Sequence, residues 1–502
     1  MKKKNYHKLV IEELVSLNNR IAKSKIQNNS SDPDSSFMLE MVENFHKDGN
    51  LNSLNEEKVN TRTINSLIKN TSESIILSHP EVSSKQILGR QFFLCQKQLL
   101  LAEILLNLGY LMAPLYVAEK LTRESKKYFF LQISFQAYRI IYTLYNRLGD
   151  VKSELKANKE FLNYLKYYEV EKKIELARNE LFLHYNKSQE KKQNIIDKCD
   201  SILQEFSPYE NIIPSFYFHN YFYFIKYVKY LNENNNELVY DNAKTAVHYF
   251  ERLSFEYLPG KLIFTFVQIS YCIQKRKFYE GEQLLQKAYS YVSPEMSLWF
   301  PLKENELILF FHNKEYNKCI SVYFEVMKNR SLSSMIPSER AKWHLYDAYT
   351  RLLIESKVVN YQDRKKHFSI QRFLNDLPTF SKDKRAMNIP LLIAQMSFLI
   401  IRGEYSKAID RIEALEKYSS RYLKNSDTFR SNCFIKMLVV IAKQGFNRKA
   451  VERHAKKFYD RMINSEIELI DQPFEIEIIP YENLWELLLD HLSQKHHFKN
   501  AR

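Results

Sequence analysis

The sequence predicts an all-α protein built as a stack of helical hairpins, and three observations predict it. Only 8 Gly and 13 Pro occur in 502 residues, well under the usual frequencies of about 7% and 5%, so the tight turns of an all-β chain are mostly missing. The stretch Gly403-Glu404-Tyr405-Ser406-Lys407-Ala408 suits a tight reversal between two helices: a small residue lets the chain turn, an aromatic packs in the bend, and an Ala three residues later lets the helices approach closely. Weaker copies recur, and Tyr240, Phe278 and Tyr316 stand in two equal steps of 38 residues. A hydrophobic fraction of 45% supplies a continuous core.

Along the chain, Leu9, Val10, Leu14, Leu17 and Ile21 share one face of an amphipathic helix over Tyr6 to Lys25, within a first segment 1–26. Residues 27–36, rich in Asn, Ser and Asp, read as a flexible linker. Residues 37–88 hold short helical patterns such as Thr63 to Ile68 between polar stretches. The regular region is 89–462. Its units follow Gly109 (Leu111, Ala118), Gly149 (Val151, Phe161), Tyr240 (Ala243, Val247, Phe250), Phe278 (Gly281, Leu285, Ala288), Tyr316 (Cys319, Tyr323), Gly403 (Ile412, Leu415) and Gly445 (Asn447, Ala450). Room remains for hairpins near Ile195 and Tyr361, giving about nine hairpins of about 40 residues. In 463–494, Phe474, Ile476 and Ile478 alternate with Glu475 and Glu477 as in an extended strand. Pro480 then opens a helix through Trp485, Leu488 and Leu489. The basic tail 495–502 is expected to be disordered.

This turn pattern resembles the tetratricopeptide repeat. The resemblance covers roughly three quarters of the chain and implies a right-handed superhelical solenoid whose surface holds partners rather than transforming substrates. The units depart from the family in exceeding 34 residues and in carrying Met396 and Ile269 where a small residue is usual midway along the first helix. The Lys, Asn and Arg clamp by which some of these repeats grip a peptide carboxylate is not visible; the helix before Gly403 offers Gln395 and Ser397.

No phosphate loop, His-Glu-x-x-His, Gly-x-Ser-x-Gly or kinase-like set occurs, so no enzyme, cofactor or metal is expected. His496-His497 is the one adjacent histidine pair, and two ligands do not complete a metal shell. The cysteines Cys95, Cys199, Cys272, Cys319 and Cys433 lie far apart and read as reduced thiols packed in helices. Glu12 and Glu13 interrupt any apolar export segment, and the longest nearly apolar run, Pro390 to Ile401, is shorter than the roughly 20 residues of a spanning helix. The expectation is a soluble cytoplasmic protein.

Three features are candidate partner-binding sites. An aromatic helix between Ser215 and Leu231 carries Tyr217, His219, Asn220, Tyr221 and Tyr223, either as core packing or as a groove that grips a peptide or stacks on bases. A late helix carries Lys449, Arg453, Lys456 and Lys457 on one side, a solvated or anion-binding face. Eight acids follow it between Met462 and His491 with no Lys or Arg among them. The terminal segment is therefore expected to fold back, bury Phe474, Ile476, Ile478 and Trp485, and set its acids against basic residues of the repeats. It then caps the stack, or alternatively serves another protein as a recognition strand.

A net charge of +15 keeps RNA or another polyanion open as a partner. The preferred reading is a non-enzymatic scaffold or adaptor for protein or peptide partners. The alternatives are an RNA-binding protein and a peptide-sensing regulator similar to bacterial receptors that join such a repeat body to an N-terminal effector.

Overall fold

The computed structural model describes residues 87–185, 192–335, 337–359, 361, 385–422, 429–465, 467 and 477–499. These form seventeen α-helices with two short 3-10 turns and no strand. The N-terminal helix, the linker and nearly all of 37–88 lie outside the described residues, as do Phe474 and Ile476.

The chain divides into two compact units, residues 1–168 with 254–256, and residues 169–253 with 257–502. In the first unit, α1 (Ile87–Asn107), α2 (Met112–Lys127) and α3 (Leu131–Leu148) pack against one another. Ala102, Ala118 and Ala137 are fully buried there, and their small side chains let the helices approach closely. The boundary between the units falls within α4 (Val151–Tyr185).

The second unit continues with α5 (Lys192–Phe206), α6 (Phe216–Asn232), α7 (Asn236–Glu251), α8 (Leu258–Gln274), α9 (Phe278–Tyr289), α10 (Trp299–His312) and α11 (Tyr316–Lys328). It ends with α12 (Pro337–Glu355), α13 (Arg385–Arg402), α14 (Tyr405–Tyr422), α15 (Phe429–Lys443), α16 (Arg448–Ile463) and α17 (Tyr481–Lys499). Neighbouring helices pack in sequence, and one apolar core runs unbroken from Leu258 to Leu492. Among the described residues, no helix is long and apolar enough to cross a membrane.

The turns repeat one hydrogen-bond pattern. After α13, Gly403 N–H donates to the Ile400 carbonyl at 3.0 Å and Glu404 N–H to Leu399 at 2.9 Å, with Gly403 at φ 71°. This double closure satisfies the last carbonyls of the helix and needs a left-handed residue at its centre. The same pair of bonds recurs around Gly109, Gly149, Asn234, Arg276, Lys314 and Gly445. Two residues past Arg276, Lys314 and Gly403 come Phe278, Tyr316 and Tyr405, each opening the next helix. Three residues further sit Gly281, Cys319 and Ala408, all buried. A Cβ at Gly281 would meet Leu309 Cδ1 at 2.4 Å, which shows how little room this position has.

Three expectations change. Tyr240 lies one helical turn inside α7, whose first residue is Asn236, so the turn residues Asn234, Arg276 and Lys314 are spaced 42 and 38 rather than 38 twice. The helix after Gly149 runs 35 residues, because no Gly or Pro between Val151 and Tyr185 interrupts it. Helix α17 continues to Lys499, into the stretch expected to be a disordered tail, since the bonding ladder set by buried Leu484, Leu488 and Leu492 propagates through helix-compatible residues.

Candidate functional site

The acidic C-terminal stretch packs across helix ends of the second unit. After α16, Arg430 of α15 donates from Nη1 to the Met462 and Ser465 carbonyls at 2.8 and 3.1 Å. Its Nε and Nη2 bind the two oxygens of Glu477 at 2.9 and 2.8 Å, and Nη2 also reaches Glu482 at 2.6 Å. The second Glu482 oxygen accepts from Arg276. Lys314 pairs with Glu486 at 3.0 Å and Arg448 with Asp490 at 3.3 Å. Each of the four described acids thus meets a cation contributed by an earlier helix or turn. Glu466, Glu468, Asp471 and Glu475 lie outside the described residues.

Apolar packing holds the same segment. Ile478, Ile479, Leu484, Trp485, Leu488 and Leu492 are buried in the core, and Tyr481 stacks on Phe434 with centroids 4.6 Å apart. Pro480 accepts the first helical bonds of α17, from Asn483 and Leu484 at 2.8 and 2.9 Å. Glu477 additionally accepts from Tyr481 N–H at 2.5 Å, which places a carboxylate at the positive end of α17. Burial pushes the Glu477 carboxyl above its ordinary range despite Arg430. At Glu482 burial acts in the same sense, but Arg430 and Arg276 outweigh it and hold the carboxyl low.

Beneath this segment lies a cavity of about 760 Å³, lined among others by Gln274, His312, Phe278, Tyr459, Asn464 and Asn483. Gln274 donates to the Ile467 carbonyl at 2.7 Å, and His312 Nε2 lies 2.7 Å from the Glu477 carbonyl. Because a carbonyl can only accept, Nε2 carries the proton and Nδ1 is left as an acceptor. That Nδ1 and the Gln274 Oε1 are both buried with no hydrogen-bond partner. Full burial pushes the His312 pKa down to about 4, so the ring is neutral at pH 7. The side-chain amides of Asn464 and Asn483 make no hydrogen bond among the described residues. Its cations are already paired: Arg276 with Glu482, Lys314 with Glu486 and Lys275 with Glu237. The cavity therefore offers amide-like donors and acceptors rather than a net charge.

The aromatic helix α6 is mainly core. Tyr223 is buried, and its hydroxyl is pushed up to about 12 by burial. His219 is buried, stacks on Tyr249 at 4.1 Å, and has its two ring nitrogens 2.7 and 2.9 Å from the Ser215 and Glu210 carbonyls. Burial holds its pKa below the ordinary range. Both residues pack between the helices on either side of α6. Tyr217, Asn220 and Tyr221 lie on the less buried face, with the Arg178 guanidinium 6.0 Å from the Tyr221 ring.

Lys449, Arg453, Lys456 and Lys457 are all exposed on α16, and none pairs with a carboxylate among the described residues. The terminal acids met Arg276, Lys314, Arg430 and Arg448 instead. Ile478, expected as a partner-binding residue, is 1% exposed and belongs to the core. All five cysteines are buried, and burial raises each thiol above its ordinary value.

Sequence reading did not single out Gln274, His312 or Arg430. Arg430 had a legible signal, since it shares the helical phase of the core residues Phe434, Met437, Leu438 and Ile441, and a cation in that phase requires a buried acid. His312 and Gln274 end apolar helices and carry no such mark. Comparison with family models, with curated proteins and with solved structures found no match.

Proposed function

We propose that the chain is a non-enzymatic α-solenoid scaffold that holds a protein or peptide partner, with the cavity beneath its C-terminal segment as the seat for an extended stretch of that partner. The recurrent turn pattern supports a succession of tetratricopeptide-like hairpins, about nine in this reading, and the resemblance to that family implies a right-handed superhelix. One observation carries the binding site. Gln274, His312 and Arg430 already bind backbone carbonyls of the chain's own terminal segment, and the adjacent Asn464 and Asn483 amides are unbonded. A carboxamide carries one donor group and one acceptor, the same pair a peptide unit presents, so such residues bind extended backbone irrespective of its side chains.

The test is selection of a displayed peptide library on the intact protein, with Asn483→Arg as the filled-cavity control. Enrichment on the wild type that is lost with Asn483→Arg supports the site. Equal enrichment on both, or none on either, rejects it.

A second reading, binding of RNA or another polyanion, rests on the exposed row Lys449, Arg453, Lys456 and Lys457, none of which pairs with a carboxylate among the described residues. A steep fall in RNA affinity between low and moderate salt, flattened by reversing these charges, would favour it. No binding at low salt would remove it.

A further inference from the structure

Helix α4 runs 35 residues without a break, and its solvent face keeps a seven-residue repeat from end to end. Leu155, Leu162, Glu169, Leu176 and Leu183 stand seven residues apart, with the four leucines 56–68% exposed. Lys152, Lys159, Lys166, Lys173 and Glu180 form a second row at the same interval, and all five are exposed. Lys159, Lys166 and Lys173 pair with no carboxylate among the described residues. Ala157, Ile174 and Leu181 are buried on the other side, so α4 is packed by one side and presents the Leu and Lys rows to solvent. Single exposed leucines are ordinary on a protein surface, but four in register beside a row of cations are the mark of a coiled-coil seam.

We propose that these two rows are the docking surface for an acidic amphipathic helix of a partner protein, which coils around α4 with apolar residues on the leucines and carboxylates on the lysines. The period selects a helix. At 3.6 residues per turn a seven-residue row drifts by about 20° per repeat, so the seam winds left-handedly by about 80° from Leu155 to Leu183. A supercoiled partner helix follows such a seam over its whole length, whereas a flat bilayer needs a straight and broader apolar face. A polyanion such as RNA would use the lysines and leave the leucines in water. The charge selects the partner's sign, since a lysine row repels a basic seam and attracts an acidic one. It also disfavours a second copy of this chain. Laid parallel and in register, two α4 helices set four lysines against four lysines; laid antiparallel, they set each leucine against a lysine or a glutamate. Glu169 interrupts the leucine row and asks for a Lys or Arg on the partner, which fixes the register of the pair. None of these residues lines the cavity beneath the C-terminal segment, so this surface stands or falls independently of that site.

The test is isothermal calorimetry of the full chain with a synthetic five-heptad peptide that carries Leu at one seam position and Glu at the other. Binding is expected, and a peptide with Lys in place of each Glu should not bind. Lys159→Glu with Lys166→Glu should weaken binding of the acidic peptide at least about tenfold. No binding of the acidic peptide overturns the proposal, as does equal binding of the basic one or an unchanged affinity in the double variant. The same chain is sedimented alone, with vesicles of phosphatidylcholine and phosphatidylserine, and with a single-stranded RNA. A dimer, a vesicle-bound fraction or an RNA complex that is lost in the double variant assigns the face to that occupant instead and overturns the proposal. Should the double variant fail to fold, Leu155→Ser with Leu176→Ser reads the same contact through the other row. Binding about tenfold weaker is then expected, and an unchanged affinity rejects the docking.

Discussion

The guanidinium of Arg430 holds the carboxylate of Glu477 as a two-pronged fork, Nε to one oxygen at 2.9 Å and Nη2 to the other at 2.8 Å. The remaining three N–H groups go to Glu482 and to the Met462 and Ser465 carbonyls. All five donors are used inside the protein, with Arg430 only 3% exposed. A charge this deep is tolerated only when its partners are complete.

Removing the cation should therefore leave the Glu477 carboxylate without a counter-charge and Glu482 with Arg276 alone. Arg430→Ala is expected to destabilise the protein by about 3–5 kcal/mol. Arg430→Lys should recover little of this, since an ammonium cannot reproduce the planar fork. Arg448→Ala, which breaks the exposed pair with Asp490, should cost at most about 1 kcal/mol. Urea unfolding of the three variants checks the order, and similar losses for Arg430→Ala and Arg448→Ala would contradict it.

His312 predicts a pH dependence with a definite sign. Its pKa is about 4 in the fold and about 6.5 in the unfolded chain. Between these values the unfolded state holds more protons, so stability falls as pH falls from about 6.5 to 4. The loss from this residue approaches about 3 kcal/mol at full protonation of the unfolded state. His312→Gln retains a donor for the Glu477 carbonyl and removes the titration. Its stability should close on that of the wild type by this amount between pH 7 and pH 4; parallel pH curves would refute the assignment.

The turns predict two substitutions of opposite sign. Gly403 sits at φ 71°, so Gly403→Ala should cost about 1 kcal/mol. Lys357, exposed at φ 61°, bears the steric cost of a side chain in that region. Lys357→Gly should raise the midpoint of thermal unfolding, by up to about 1 kcal/mol of stability.

Two neighbouring tyrosines of α6 should behave differently. Tyr223, buried against Tyr249, Phe250 and Phe264, should cost about 3–5 kcal/mol when replaced by Ala, as other large aromatic truncations do. Tyr221, half-buried beside Arg178, should cost about 1 kcal/mol. If partner binding is lost in Tyr221→Ala while its melting temperature holds, the exposed face of α6 belongs to the binding surface.

Removing residues 465–502 should leave a protein that aggregates or unfolds without cooperativity. The deletion strips Ile478, Leu484, Trp485 and Leu488 from a core they share with Phe434 and Met437. A soluble, cooperatively melting truncation that had lost only a partner would instead make the segment a recognition element.

By itself the sequence determined the helical class and the places where the chain reverses. Those are local matters: scarcity of Gly and Pro, and a left-handed residue followed by an aromatic, act within a few residues. It also indicated that the acidic stretch has basic partners, because eight acids without a cation must be balanced elsewhere. The phase of the repeat was less secure: Tyr240 mimicked a turn aromatic although Asn234 makes the turn, since a non-glycine can occupy the left-handed position there. Only the tertiary structure decided that Arg430, rather than the row from Lys449 to Lys457, receives Glu477, and that Tyr223 and His219 are buried. These outcomes depend on which helix faces meet across tens of residues. A carboxylate and a guanidinium exclude water from each other only after those faces have closed.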